Sequence, residues 1–194
     1  SRLEEGRHAD PFAGVERLLR RHFRVRQGMT RPAIEEERAQ LLDDDTLRAL
    51  RDHLAGGSKS DVTASRSLAN ALSARGAKDR AKAICDYLLT ASETARDRLM
   101  TNGLADSRPD LLALAERAQS RMLVLTSELK AITVVEATLA LHRLADRALQ
   151  FYEDAKAAAA ALDFDDLIER TISLLSTSQS ADWVLFKLDG GLDH

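Results

Sequence analysis

The chain has 194 residues, of which 44% are hydrophobic, 30% charged and only 4% aromatic, and its net charge is −3. That length supports one well-buried core with a small appendage, no apolar run approaches the ~20 residues that cross a bilayer, and a charge this near neutral excludes the strongly basic class of nucleic-acid binder. One cysteine, Cys85, excludes an internal disulfide and fits a reducing, cytoplasmic setting.

Few aromatics and heavy use of Ala, Leu and Arg favour helices over strands. Asp10-Pro11 predicts the start of a first helix, with Asp as cap and Pro in the first turn. Phe12, Val15, Leu18, Leu19 and Phe23 form its apolar stripe. The stretch from Gln27 to Pro32 breaks it, and a second helix is expected over 33–42. Asp44 or Asp45 caps a third, which carries Leu47, Leu50 and Leu54 and stops at Gly56-Gly57. Ser60 or Asp61 caps a fourth that runs to Arg75, and a fifth spans about 78–89. The polar stretch from Thr90 to Ser107 holds a short helix at most.

Pro109 opens the longest helical stretch, where Leu111, Leu114, Ala118, Met122, Leu125 and Leu129 recur at helical spacing. Val134, Thr138, Leu141, Ala145, Ala148, Tyr152 and Ala155 continue the pattern. The β-branched cluster Ile132-Thr133-Val134-Val135 weakens helix propensity and predicts a bend or break, with one uninterrupted helix as the alternative. Asp163 caps the next helix, Asp166 adds charge that favours its N-terminus, and the helix runs to about Ser176. Ser180 caps a last helix, ended by Gly190-Gly191. With no strand pattern and no internal repeat, the expected fold is all-α, a helical array around a long antiparallel helix pair.

Charge is unevenly distributed. Six arginines (Arg17, Arg20, Arg21, Arg24, Arg26, Arg31) face one acid between Glu16 and Arg31. Nine Lys/Arg accompany six acids from Ser58 to Arg108, and eight accompany fourteen from Pro109 onward. The bias permits a DNA-facing side on an acidic protein. Arginines at helical spacing are more often a solvated face.

Most chemistry-bearing residues have an ordinary reading. Cys85 has no histidine near it in sequence and reads as a structural thiol. His8, His22, His53, His142 and His194 lack zinc-ligand spacing, so no metal site is expected. Gly56-Gly57-Ser58-Lys59-Ser60 is not a phosphate loop, because the G-x-x-x-x-G-K-[ST] spacing is absent and no strand precedes it. Asp163, Asp165 and Asp166 read as helix-start carboxylates rather than metal ligands or catalysts. Trp183, amid Val184, Leu185 and Leu188, reads as a packing anchor. No hydrolase signature is present.

Two C-terminal motifs carry a family resemblance. Leu162-Asp163-Phe164-Asp165-Asp166-Leu167 resembles a motif of UvrD/Rep-type superfamily 1 DNA helicases, where it closes the all-helical 1B insert and leads back to the first motor domain. Trp183-Val184-Leu185-Phe186-Lys187-Leu188-Asp189-Gly190-Gly191-Leu192-Asp193-His194 is similar to the AddA subunit of AddAB helicase–nucleases, with Phe186 and Leu192 in place of the commoner Tyr and Ile. Upstream, Gly57-Ser58-Lys59-Ser60-Asp61 and the stretch from Leu88 to Leu99 are also AddA-like. There, Ala91, Ser92 and Asn102 stand where that family commonly has basic residues.

The resemblance implies a piece of a repair helicase that ends just before the Asp-Glu pair of the motor, and the missing initiator Met fits an excised fragment. It implies residues 1–55 as a divergent N-terminal part of the insert, 56–162 as the 1B-like core, and 163–194 as helices returning to the motor. Lys59, Arg66, Arg96 and Arg98 become candidate DNA contacts, with Lys59 and the helix N-terminus beside it offered to a phosphate. Asp163, Phe164, Asp165, Asp166, Leu167 and Trp183 would mark the motor-core junction, an apolar surface open to self-association without the motor. Catalytic residues, metal and cofactor are expected to be absent from the chain itself. ATP, Mg²⁺ and the AddB subunit would belong to the parent, and no membrane partner is expected. The competing reading is a stand-alone helical interaction or regulatory module with no role on DNA.

Overall fold

The structure, a computed structural model, describes residues 10–177 and 186–187. Residues 10–177 form α1 (Ala13–His22), α2 (Arg31–Ala39), α3 (Asp44–Ala55), α4 (Lys59–Ser73), α5 (Ala77–Leu88), α6 (Asn102–Ser107), α7 (Pro109–Ala158) and α8 (Phe164–Thr177). The described residues contain no strand, only an isolated antiparallel bridge between Leu89 and Ala95. The all-α expectation therefore holds.

Caps set the helix starts. Three consecutive aspartates compete ahead of α3, and Asp43 wins rather than Asp44 or Asp45: its backbone is extended and its side chain accepts from the Thr46 N–H at 2.7 Å. Asp44 is left to pair with Arg80 Nη1 at 2.7 Å. Arg80 also donates to the Ala39 and Leu42 carbonyls, so one guanidinium fastens α5 to the link between α2 and α3. Ser58, rather than Ser60 or Asp61, caps α4. Arg24 closes α1 with φ +54°, and the Val25 N–H reaches back to the Arg20 carbonyl.

The chain divides into two compact units, Ser1–Leu141 and His142–His194. The first holds two apolar clusters. In one, Leu47, Leu50, Leu54, Leu68, Ile84 and Leu88 pack with Leu111, Ala115 and Met122 of α7. In the other, Val25, Ile34, Leu125, Ile132, Val135 and Leu139 are buried, with Phe12 and, from α1, Val15 and Leu19 against them. Each such large side chain contributes roughly 1.5–3 kcal/mol of burial. Residues before 56 thus share a core with those after it, and α3 packs directly on α4 across the expected boundary.

The predicted break at Ile132–Val135 is absent, and α7 is one helix of 50 residues, the uninterrupted alternative. Burial explains this. Ile132 and Val135 are fully buried in the second cluster, and the Thr133 hydroxyl donates to the Leu129 carbonyl at 2.7 Å. The packing outweighs the few tenths of a kcal/mol lost per β-branched residue.

In the second unit α7 ends at Ala158, and Ala160 just beyond it adopts φ +49° while the Ala161 N–H bonds to the Lys156 carbonyl. Asp163 then caps α8, its Oδ1 accepting from Asp166 N while Asp166 Oδ2 accepts from Asp163 N.

Candidate functional site

Gly57-Ser58-Lys59-Ser60-Asp61 is largely explained by packing. Asp61 is only 3% exposed. Its Oδ2 accepts from Ser58 N and Ser58 Oγ, both at 2.8 Å, and its Oδ1 accepts from Thr101 N at 3.0 Å. Burial alone would raise its pKa, but the hydrogen bonds from Ser58 and Thr101 outweigh that and hold it below the usual carboxylate value. A Cβ on Gly57 would come within 2.5 Å of Asp61 Oδ2 and 2.7 Å of Leu104 Cδ1, so only glycine fits. At the α4 N-terminus Ser58 Oγ takes the Asp61 N–H at 3.3 Å, so that donor is not offered to a DNA phosphate, and the Asp61 carboxylate beside it adds negative charge. Lys59 remains as an exposed cation at the first position of the helix.

α4, the end of α5 and the segment before α6 enclose a cavity of about 360 Å³, lined by residues that include Ser60, Thr63, Tyr87, Arg96 and Arg98. Gln119 of α7 fixes the segment, donating from Nε2 to the carbonyls of Leu88 (2.8 Å) and Arg96 (3.0 Å). Arg96 donates to the Asp86 carbonyl at 3.0 Å. Lys59 and Arg66, seven residues apart, project from the same side of α4, about 10 Å apart along its axis. Arg98, Lys59 and Arg66 are exposed, and their side chains have neither hydrogen bond nor ion pair among the described residues.

Half of the six arginines between Glu16 and Arg31 are committed within the fold. Arg26 donates from Nε to Glu128 at 2.7 Å and from Nη1 to Glu37 at 2.9 Å, which raises its own pKa and lowers that of Glu128. Arg31 pairs with Glu136, Arg20 pairs with Glu16, and Arg38 is buried with its Nε 3.3 Å from Met122 Sδ. The charge bias at 16–31 thus serves in part to attach α1 and α2 to α7. Burial pushes the Cys85 thiol up, as a structural thiol requires.

The junction residues form a local cluster in the second unit. Lys156 Nζ lies 2.8 Å from Asp166 and 3.0 Å from Asp163, and the Tyr152 hydroxyl donates to Asp163 at 2.9 Å. The backbone Asp166 N–H, Lys156 and Tyr152 together hold Asp163 well below the usual carboxylate range. Asp163 and Asp166 are therefore cap and ion-pair acceptors, and no group of metal-ligating side chains occurs among the described residues. Asp165 is exposed beside them. Phe164 (86% exposed), Leu167 (48%) and Ile168 (56%) present apolar surface on α8. Trp183 lies outside the described residues.

The structure brings Arg96 and Arg98 to one cavity, with Lys59 and Arg66 on the helix that forms its wall. Sequence reasoning missed Tyr87, whose buried hydroxyl has no partner, and Gln119, which secures the arginine-bearing segment. Gln119 carries no local signal, since its partners Leu88 and Arg96 lie 31 and 23 residues away in the chain. No helix among the described residues is long and apolar enough to cross a membrane. Comparison with family models, with curated proteins and with solved structures yields no match.

Proposed function

We propose that this chain is a non-catalytic helical subdomain of a UvrD/Rep-type DNA helicase, of the AddA kind, that contacts duplex DNA. The observation that carries this reading is a local group of uncommitted cations. The Lys59, Arg66 and Arg98 side chains stand exposed without a hydrogen bond or ion pair, Arg98 lining the cavity and Lys59 and Arg66 on the helix that walls it. Uncommitted cations on a rigid helix suit phosphate contacts, which position a duplex without reading its sequence. ATP, Mg²⁺, the motor's catalytic residues and the AddB partner belong to the parent protein on this reading. The exposed apolar residues Phe164, Leu167 and Ile168 of α8 also support it, because they lie in or directly after the motif that in such helicases leads back to the motor core.

The test is fluorescence anisotropy with a labelled duplex. Reversing Lys59, Arg66 and Arg98 to Glu should weaken binding by at least about tenfold, whereas reversing Arg143, Arg147 and Arg170 should leave it within about threefold. The two triple variants change net charge equally, so equal losses would refute a localised contact surface. The surrounding reading frame tests the family assignment separately: a Walker A motif upstream and an Asp-Glu pair shortly after His194 are expected. The exposed apolar side of α8 favours a second reading, a protein-interaction module. That reading expects no duplex binding and a partner or self-association lost on Phe164→Ser.

A further inference from the structure

We propose that Lys156 is an ionic latch that fixes the angle between α7 and α8, so that α8 is an arm hinged at residues 159–163. Those residues hold no helix, and Ala160 among them takes φ +49°. Burial does little to seat the arm. No side chain from Phe164 to Ser176 is buried, and Ile172 (58% exposed) and Leu174 (44%) continue the exposed apolar surface of Phe164, Leu167 and Ile168. The Lys156 side chain, in contrast, is only 12% exposed. Its ammonium lies 4.8 Å from the centroid of the Tyr152 ring and meets Glu153 at 2.9 Å on its own helix, besides Asp163 and Asp166 at the start of α8. One side chain of α7 thus gathers both carboxylates that open α8.

These carboxylates have two separable roles. The reciprocal bonds between Asp163 and Asp166 lie within the start of α8 and cap it whatever direction it takes. Their bonds to Lys156 reach back to α7 and select one direction. An isolated surface pair would hold little, but three carboxylates and an aromatic face around one ammonium form a network. Asp166 and Glu153 raise the pKa of Lys156, and Lys156 in turn lowers that of Asp166, so the latch stays charged around neutral pH. Loss of the Lys156 charge opens it. The inference is independent of the duplex reading, whose residues Lys59, Arg66 and Arg98 belong to the first unit.

The experiment is pulsed electron–electron double resonance on the full chain, with spin labels at Ala148→Cys and Ser173→Cys in a Cys85→Ala background. Ser173 lies about 14 Å along α8 from Phe164, so each 10° of swing moves it by roughly 2 Å. With Lys156 intact the distance distribution should be single and narrow. Lys156→Met keeps the stem and removes the charge. It should broaden the distribution by at least about 4 Å, a swing of roughly 20°, with helix content by circular dichroism unchanged. Lys156→Arg restores the charge and should restore the narrow distribution. Lys130→Met, which breaks the pair with Glu93 in the first unit, should leave it narrow. A distribution already broad with Lys156 intact, still narrow in Lys156→Met, or equally broad in Lys156→Arg or Lys130→Met, overturns the proposal. If Lys156→Met loses helix, Tyr152→Phe decides, because it removes only the hydroxyl that donates to Asp163. Partial broadening there supports the latch, and none overturns it.

Discussion

Asp61→Asn is the sharpest test of how the candidate site is held. Every group that meets the carboxylate is a donor: Ser58 N and Ser58 Oγ at 2.8 Å on one oxygen, and Thr101 N at 3.0 Å on the other. Asparagine replaces one oxygen with an NH₂ group, so one rotamer opposes the Ser58 donors and the other opposes Thr101 N–H. Either choice loses at least one hydrogen bond to a charged acceptor, about 1.5–3 kcal/mol, and leaves a donor facing a donor. We expect a loss of about 2–3 kcal/mol at pH 7, which for a chain of this size lowers Tm by roughly 5–10 °C. The assay is thermal and urea unfolding followed by circular dichroism.

The pH dependence has a definite sign. Asp61 has a folded-state pKa below its ordinary value of 3.8, so its contribution is complete above the unfolded carboxylate range and disappears as pH falls through the lower folded value. The stability gap between wild type and Asp61→Asn should therefore narrow below about pH 4. Equal stability at pH 7, or a gap that widens on acidification, would refute the buried three-donor arrangement.

Two further substitutions probe the backbone. Gly57→Ala forces a Cβ to within 2.5 Å of Asp61 Oδ2, and because three hydrogen bonds pin that carboxylate, the clash should cost about 1–3 kcal/mol in urea unfolding. Arg24→Gly relieves a left-handed φ of +54° at the end of α1 and should raise stability by about 0.5–1 kcal/mol, since Arg24 has no ion pair to lose; destabilisation would contradict the strain assignment.

Local signals in the sequence located most elements. Asp163 and Asp166 cap α8 as their spacing predicts, Pro109 opens α7, and Leu47, Leu50 and Leu54 form the buried stripe of α3. The misses have nonlocal causes. Ser58 rather than Ser60 caps α4 because Asp61 can then reciprocate and also reach Thr101, forty residues on. Asp43 takes the α3 cap while Arg80, distant in sequence, occupies Asp44. The β-branched run near Ile132 stays helical because α1 and α2 cover it, which propensity does not register. The same holds at the candidate site. Lys59, Arg66, Arg96 and Arg98 were legible as cations, but which arginines the fold neutralises depends on Glu37, Glu128 and Glu136, brought to them only by packing.

The most direct test of the account is the salt dependence of duplex affinity for the wild-type chain, compared with the variant reversed at Lys59, Arg66 and Arg98. Each phosphate contact contributes a slope of about −0.9 in log K against log salt, so three contacts predict about −2.7, falling toward zero in the variant. An affinity that ignores salt, or a slope that survives the triple reversal, would contradict a DNA-contacting role for these residues.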